Sequence, residues 1–142
     1  MFPRSHLIMF FSMAAISFFI MPFIMIASPF DWFPSFNQAY AAIFMGAAMV
    51  AIEGSMHPMP YWAWLITIIL IVSSIVGIRY QWQIYDREYL HDMIPHHSMA
   101  LLTSRAILEK ARNPEVYDLA KGIYETQIRE IGLMKKILRG SK

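Results

Sequence analysis

Three long apolar runs followed by two amphipathic ones organise this chain. From about 6 to 27 there is no Asp, Glu, Lys or Arg, and the run is rich in Phe, Ile and Met, which suits a helix crossing a bilayer. It is longer than the apolar part of a secretion signal, so it reads as a retained anchor, kinked at Pro22. A second span is predicted over about 37–55, where Ala41, Ala42, Gly46, Ala47, Ala48 and Ala51 allow close helix packing in lipid. A third is predicted over about 61–79, anchored by Tyr61, Trp62 and Trp64 at one end and by Arg79, Tyr80 and Trp82 at the other. Pro29, Asp31, Trp32 and Pro34 mark the first connection as a turn with interfacial aromatics, and Pro58 and Pro60 mark the second. Three crossings put the residues before and after the spans on opposite sides.

Beyond the third span the period changes to that of water-facing helices. One helix is predicted from about Gln83 to Ala111. The next is announced by Asn113 as N-cap, Pro114 at the first helical position and Glu115 in the first turn, and Gly140 stops it. The short connection makes the pair antiparallel. On the second helix Val116, Leu119, Ala120, Ile123, Gln127, Glu130, Ile131, Met134 and Leu138 form the inward stripe. Gln127 and Glu130 are polar where a simple bundle wants Leu or Ile. Glu130 therefore needs a metal, a cation or a hydrogen-bonded neighbour, or it lies at the edge of the stripe, solvated or paired with Arg105. The predicted fold is all-α: three transmembrane helices and a two-helix hairpin.

Composition sharpens the division. A chain of 142 residues with 57% apolar and 15% charged residues is too hydrophobic for one soluble domain. Eleven of its twelve Lys and Arg lie from Arg79 onward, and only Asp31 and Glu53 of its ten acidic residues precede that point. A membrane domain, 1–80, is thus joined to a polar domain, 81–142. In the polar domain the charges alternate along helical faces, leaving no basic stripe for nucleic acid. With no cysteine, disulfides and thiolate metal sites are excluded. Soft-metal chemistry would fall to Met and His, which fits an oxidising compartment. Charge alone leaves the orientation open, since Arg4 favours a cytoplasmic start while Arg79 and Arg87 pull the other way.

The densest chemistry lies in Asp92-Met-Ile-Pro-His-His-Ser-Met99. On a helix Met93 and His97 share a face that Asp86, Leu90 and Ala100 extend, with His96 beside it. Pro95 is expected to kink or restart the helix and to splay the two imidazoles toward a common centre. A lone Met or His is usually core filler or a hydrogen-bonded structural residue. Two adjacent histidines flanked by Met93 and Met99 instead read as a metal site, imidazole and thioether together suiting copper and the sulfur favouring Cu(I) over Cu(II). Iron and zinc fit this ligand set less well. A second stripe, Met49, Met56, His57 and Met59 with Glu53, is either apolar filler or a further soft-metal site at the membrane edge.

The pattern Asp86-x-x-Tyr-Leu-x-x-Met-Ile-Pro-His-His-Ser-Met-Ala, followed by Leu119-Ala-x-x-Ile-x-x-x-Gln-Ile-x-Glu-Ile-x-x-Met134, resembles the domain of unknown function 305 family over roughly Tyr85 to Gly140. The membrane spans ahead of it resemble a membrane-anchored subgroup. The resemblance implies a ferritin-like helical domain, periplasmic copper binding in some members, and matching positions at Asp86, Met93, His96, His97, Gln127, Glu130 and Met134. One hairpin is half of such a bundle, so a homodimer completing four helices, or docking onto the membrane half, is expected. The expected function is a copper-handling protein of a bacterial-type inner membrane, acting as chaperone, store or sensor, with lipid and a second copy as partners. The alternatives are a small subunit of a membrane complex whose hairpin docks a partner, and a non-haem iron enzyme.

Overall fold

The computed structural model of the protein describes residues 4–140, so the outermost positions of the two expected domains, 1–3 and 141–142, lie outside the described residues. The described residues are helical and carry no strand. They form two compact units, one of residues up to Met21 with Phe36–Ile84, the other of Pro22–Ser35 with the chain from Tyr85 onward.

Three helices dominate the first unit: α1, Arg4–Met25, whose last turn from Pro22 belongs to the second unit, α2, Phe36–Met56, and α3, Tyr61–Tyr80. All three are long and apolar enough to cross a membrane, as the hydropathy pattern predicts. Their surfaces carry exposed Ile8, Phe11, Phe19, Leu65, Ile68 and Ile69, a patchwork that suits lipid and not water. Small residues set the helix spacing. Ala42, Gly46 and Ala47 are buried on α2, and a Cβ at Gly46 would stand 2.9 Å from the backbone oxygen of Phe10. Gly77 of α3 similarly lies under the ring of Tyr40, where a Cβ would come within 3.0 Å. Buried Thr67 and Ser74 donate to the carbonyls of Ala63 and Leu70, at 2.8 and 2.7 Å, so no hydroxyl is stranded there.

At Pro22 the backbone of α1 adjusts through a specific device. The proline lacks the N–H that would bond to Phe18 O four residues back. The helix widens into a π turn at Ile16–Ile20, closed by the Met21 N–H donating to Ile16 O. The carbonyl of Phe18 accepts instead from Gln38 Nε2 of α2, at 2.8 Å.

The second unit holds the hairpin: α4, Asp86–Leu108, and α5, Pro114–Gly140. Asn113 caps α5 as expected, its Oδ1 accepting from Glu115 N at 2.9 Å. The start of α4 differs from the expected Gln83. Gln81 and Gln83 adopt positive φ, 52° and 60°, which no helix accommodates, and the helix begins only at Asp86. Pro95 does not break α4, which runs on past it to Leu108. The core consists of Ile94, Ile131 and Met134, with Leu90, Met93, Leu101 and Leu138 packed around them. Phe33 joins this core from the first connecting loop, which thereby supplies a third wall to the hairpin. A 3-10 turn at Pro29–Asp31, capped by Ser28 Oγ accepting from Phe30 N, shapes that loop. If each apolar helix crosses once, parity puts this loop and the hairpin on the same face, as their shared core requires.

Candidate functional site

Two features meet on the facing turns of α4 and α5. The first lies between Met93/His97 and Glu130/Met134, each pair at i, i+4 on its own helix, so that both members share a face. Because the helices are antiparallel, Met93 packs with the cluster that contains Met134, and one turn further on His97 meets Glu130. His97 Nδ1 lies 3.1 Å from Glu130 Oε2, the imidazole 25% and the carboxylate 43% exposed. The distance suits an ion pair, but Nδ1 makes no aligned hydrogen bond and is buried. Gln127, three residues before Glu130, also buries an oxygen, Oε1, that has no hydrogen-bond partner. Each of these buried polar atoms is thus left without a hydrogen-bond partner among the described residues.

Of the seven residues singled out by sequence, five thus come onto the facing turns: Met93, His97, Gln127, Glu130 and Met134. His96 does not join them. It is exposed, since a continuous helix turns it by about 100° from its neighbour. Asp86 is exposed in the first turn of α4, where its charge complements the helix N-terminus. Glu130 takes His97 as its partner, while Arg105 is exposed. Among the described residues no three His, Asp or Glu side chains gather at metal-binding distance. Met93 and Met134 add two thioethers to the core beside the His97–Glu130 pair.

At the other candidate position, His57 Nδ1 lies 3.4 Å from Glu53 Oε1, with the imidazole 62% exposed. Met59 lies over Gly54, where a Cβ would come within 2.8 Å of its methyl. Met49 is half-buried and Met56 exposed.

The second feature joins residues far apart in the sequence. Asp31, 4% exposed, accepts from Ser98 Oγ at 2.5 Å through Oδ2 and pairs with Lys135 Nζ through Oδ1. Ser98 is fully buried and in turn accepts from the backbone N–H of Ala27 at 2.9 Å. Ser35 Oγ donates to Asp92 Oδ1 at 2.8 Å. Loop 26–35 is thereby held on α4 and α5 on either side of His97, and the clasp fixes the helix face that presents the imidazole to Glu130. The only hints were an isolated acid between two apolar runs and a serine beside the histidines.

The Met-Ile-Pro-His-His helix, packed through Met93 on the Glu130/Met134 helix, invites comparison with known proteins. Residues 79–141 match the family model described as Domain of unknown function (DUF305). The match covers the hairpin and agrees with the resemblance drawn from its motif. A stretch of 74 residues is 42% identical to an uncharacterized protein of Acanthamoeba polyphaga mimivirus, taking in 52% of this chain and 49% of the relative. The chain thus spans about half the length of the curated relative it matches. No solved structure matches.

Proposed function

We propose that the protein is a membrane-anchored copper-binding protein, its hairpin holding Cu(I) through Met93, His97 and Met134, with Glu130 orienting the imidazole and Gln127 beside it. The observation that carries this reading is the His97–Glu130 pair at 3.1 Å, set next to two thioethers and leaving the ring nitrogen without an aligned hydrogen bond. Soft thioether and borderline imidazole ligands favour Cu(I) over hard divalent ions, and a carboxylate behind a ligating histidine raises its basicity. His96 is an outer ligand available from solvent, and Asp86 is assigned no direct part. The stripe of Met49, Met56, His57 and Met59 is a second place for copper to bind at the membrane edge.

The anchor then serves to hold this hairpin on the exported face of a bacterial-type inner membrane, where copper is met outside the cytoplasm. Two hairpins completing a ferritin-like four-helix bundle would cover the apolar residues that α5 leaves open, Leu119, Ile128, Leu133 and Ile137. The same open face favours the second reading, a membrane-complex subunit whose hairpin docks a partner. A non-haem iron enzyme draws less support, because its two histidines and carboxylate would have to converge and His96 faces away.

Metal analysis separates these readings. The chain purified in mild detergent should carry copper, and His96→Ala with His97→Ala should remove it. Iron with oxygen-dependent turnover would favour the enzyme, and no metal after copper exposure would leave the docking subunit.

A further inference from the structure

A cleft of about 500 Å³ opens at the junction of the α4 start, the α5 end and the 3-10 turn, away from the His97–Glu130 pair. Its lining includes three cations, Arg87, Lys135 and Arg139, with His91 and the rings of Phe30 and Phe33, and no carboxylate lines it. Lys135 is occupied by Asp31. Arg87 and Arg139 are exposed and make no ion pair among the described residues, so two guanidinium groups face one concavity unneutralised. Like charges gathered in this way repel unless an anion joins them. The guanidinium fork matches phosphate oxygens two at a time.

The aromatic side of the cleft says where the anion comes from. Phe30 is 84% exposed, an unusual state for a phenylalanine in water. It lies five residues after the end of α1 at Met25 and six before α2 begins at Phe36, both helices being apolar enough to cross a membrane. Five residues reach at most about 18 Å, which leaves this ring within reach of the headgroup layer. The imidazole of His91 packs against Phe33, 5.2 Å between centroids, which holds an additional N–H donor at the rim.

We infer that this cleft binds the phosphate of an anionic phospholipid, Arg87 and Arg139 clamping the phosphate and Phe30 entering the interface beside it. The chemistry shared with free phosphate is the oxyanion; the exposed aromatic ring distinguishes the lipid. The inference is independent of the copper reading, since none of its residues is a proposed copper ligand.

The test uses the full chain in mild detergent. Phosphatidylglycerol and phosphatidylcholine are titrated separately, with retained lipid counted by native mass spectrometry, and inorganic phosphate is titrated by calorimetry. We expect phosphatidylglycerol to be retained at least about tenfold more tightly, and Arg87→Gln with Arg139→Gln to abolish the preference while Arg87→Lys with Arg139→Lys keeps part of it. Phe30→Ser, which touches no charge, should weaken lipid retention and leave phosphate unaffected. Phosphate binding alone and displacing the lipid would identify the free anion as the source; failing to displace it would identify the lipid. Equal retention of the two lipids with no phosphate binding would overturn the inference, as would a preference that survives in the Gln variant.

Discussion

Ser98 Oγ donates to Asp31 Oδ2 at 2.5 Å, a bond between residues 67 positions apart that ties the first connecting loop to the middle of α4. With Lys135 on the other carboxylate oxygen, the loop is held to both helices of the hairpin. An acid this buried is tolerable only because both oxygens are engaged.

Asp31→Ala should therefore destabilise the hairpin unit by about 3 kcal/mol, the lower end for a broken buried pair because Lys135 is partly exposed. Asp31→Leu with Lys135→Met should recover part of the loss, since the stranded charge is gone too. Denaturant melts followed by circular dichroism in detergent would measure both, and additive losses would refute the pairing.

Met134→Leu separates the metal reading from packing. The two side chains are close in volume, so the fold should change by under about 1.5 kcal/mol. Cu(I) affinity in a chelator competition should nevertheless fall at least about tenfold, because a ligand sulfur has been lost. Zinc affinity should hardly respond, since thioether sulfur suits it less; unchanged copper affinity would remove Met134 from the site.

Gln38→Leu deprives the Phe18 carbonyl of its donor and should cost about 1–2 kcal/mol in thermal melts. Pro22→Ala restores an N–H able to reach that carbonyl, so in the combined variant the loss should shrink. A loss equally large in both backgrounds would show that the glutamine acts in another way.

Glycines on the two kinds of helix should answer oppositely to alanine. Gly46→Ala drives a methyl toward the Phe10 backbone and should destabilise by about 1–3 kcal/mol. Gly122 and Gly132 meet nothing within 4 Å, and alanine at either should stabilise α5 by about 0.5–1 kcal/mol. Paired melts of the single variants decide it.

What could be read in advance was whatever depends on near neighbours in the chain. Asn113 was legible as a cap because it bonds an N–H two residues away, and the three apolar helices because length and hydropathy suffice. His97 and Glu130 could each be assigned to an inward face by period, but not paired, since period says nothing about register between helices. Pro95 shows a local rule giving way, since the packed core around Ile94 keeps α4 helical on both sides of the ring. Asp31 was beyond reach. Its partners lie 67 and 104 positions away, and a lone acid in a turn ordinarily means solvent.

The loop that completes the hairpin has a consequence for biosynthesis. Asp31 leaves the ribosome well before Ser98, and Lys135 comes last of the three, so the carboxylate must wait through the synthesis of two apolar helices before its partners exist. A transplant that begins at Tyr85 would be born lacking Asp31, with the hydroxyl of Ser98 and the ammonium of Lys135 deprived of their acceptor; grafting 26–35 alongside it is what an excised version would need.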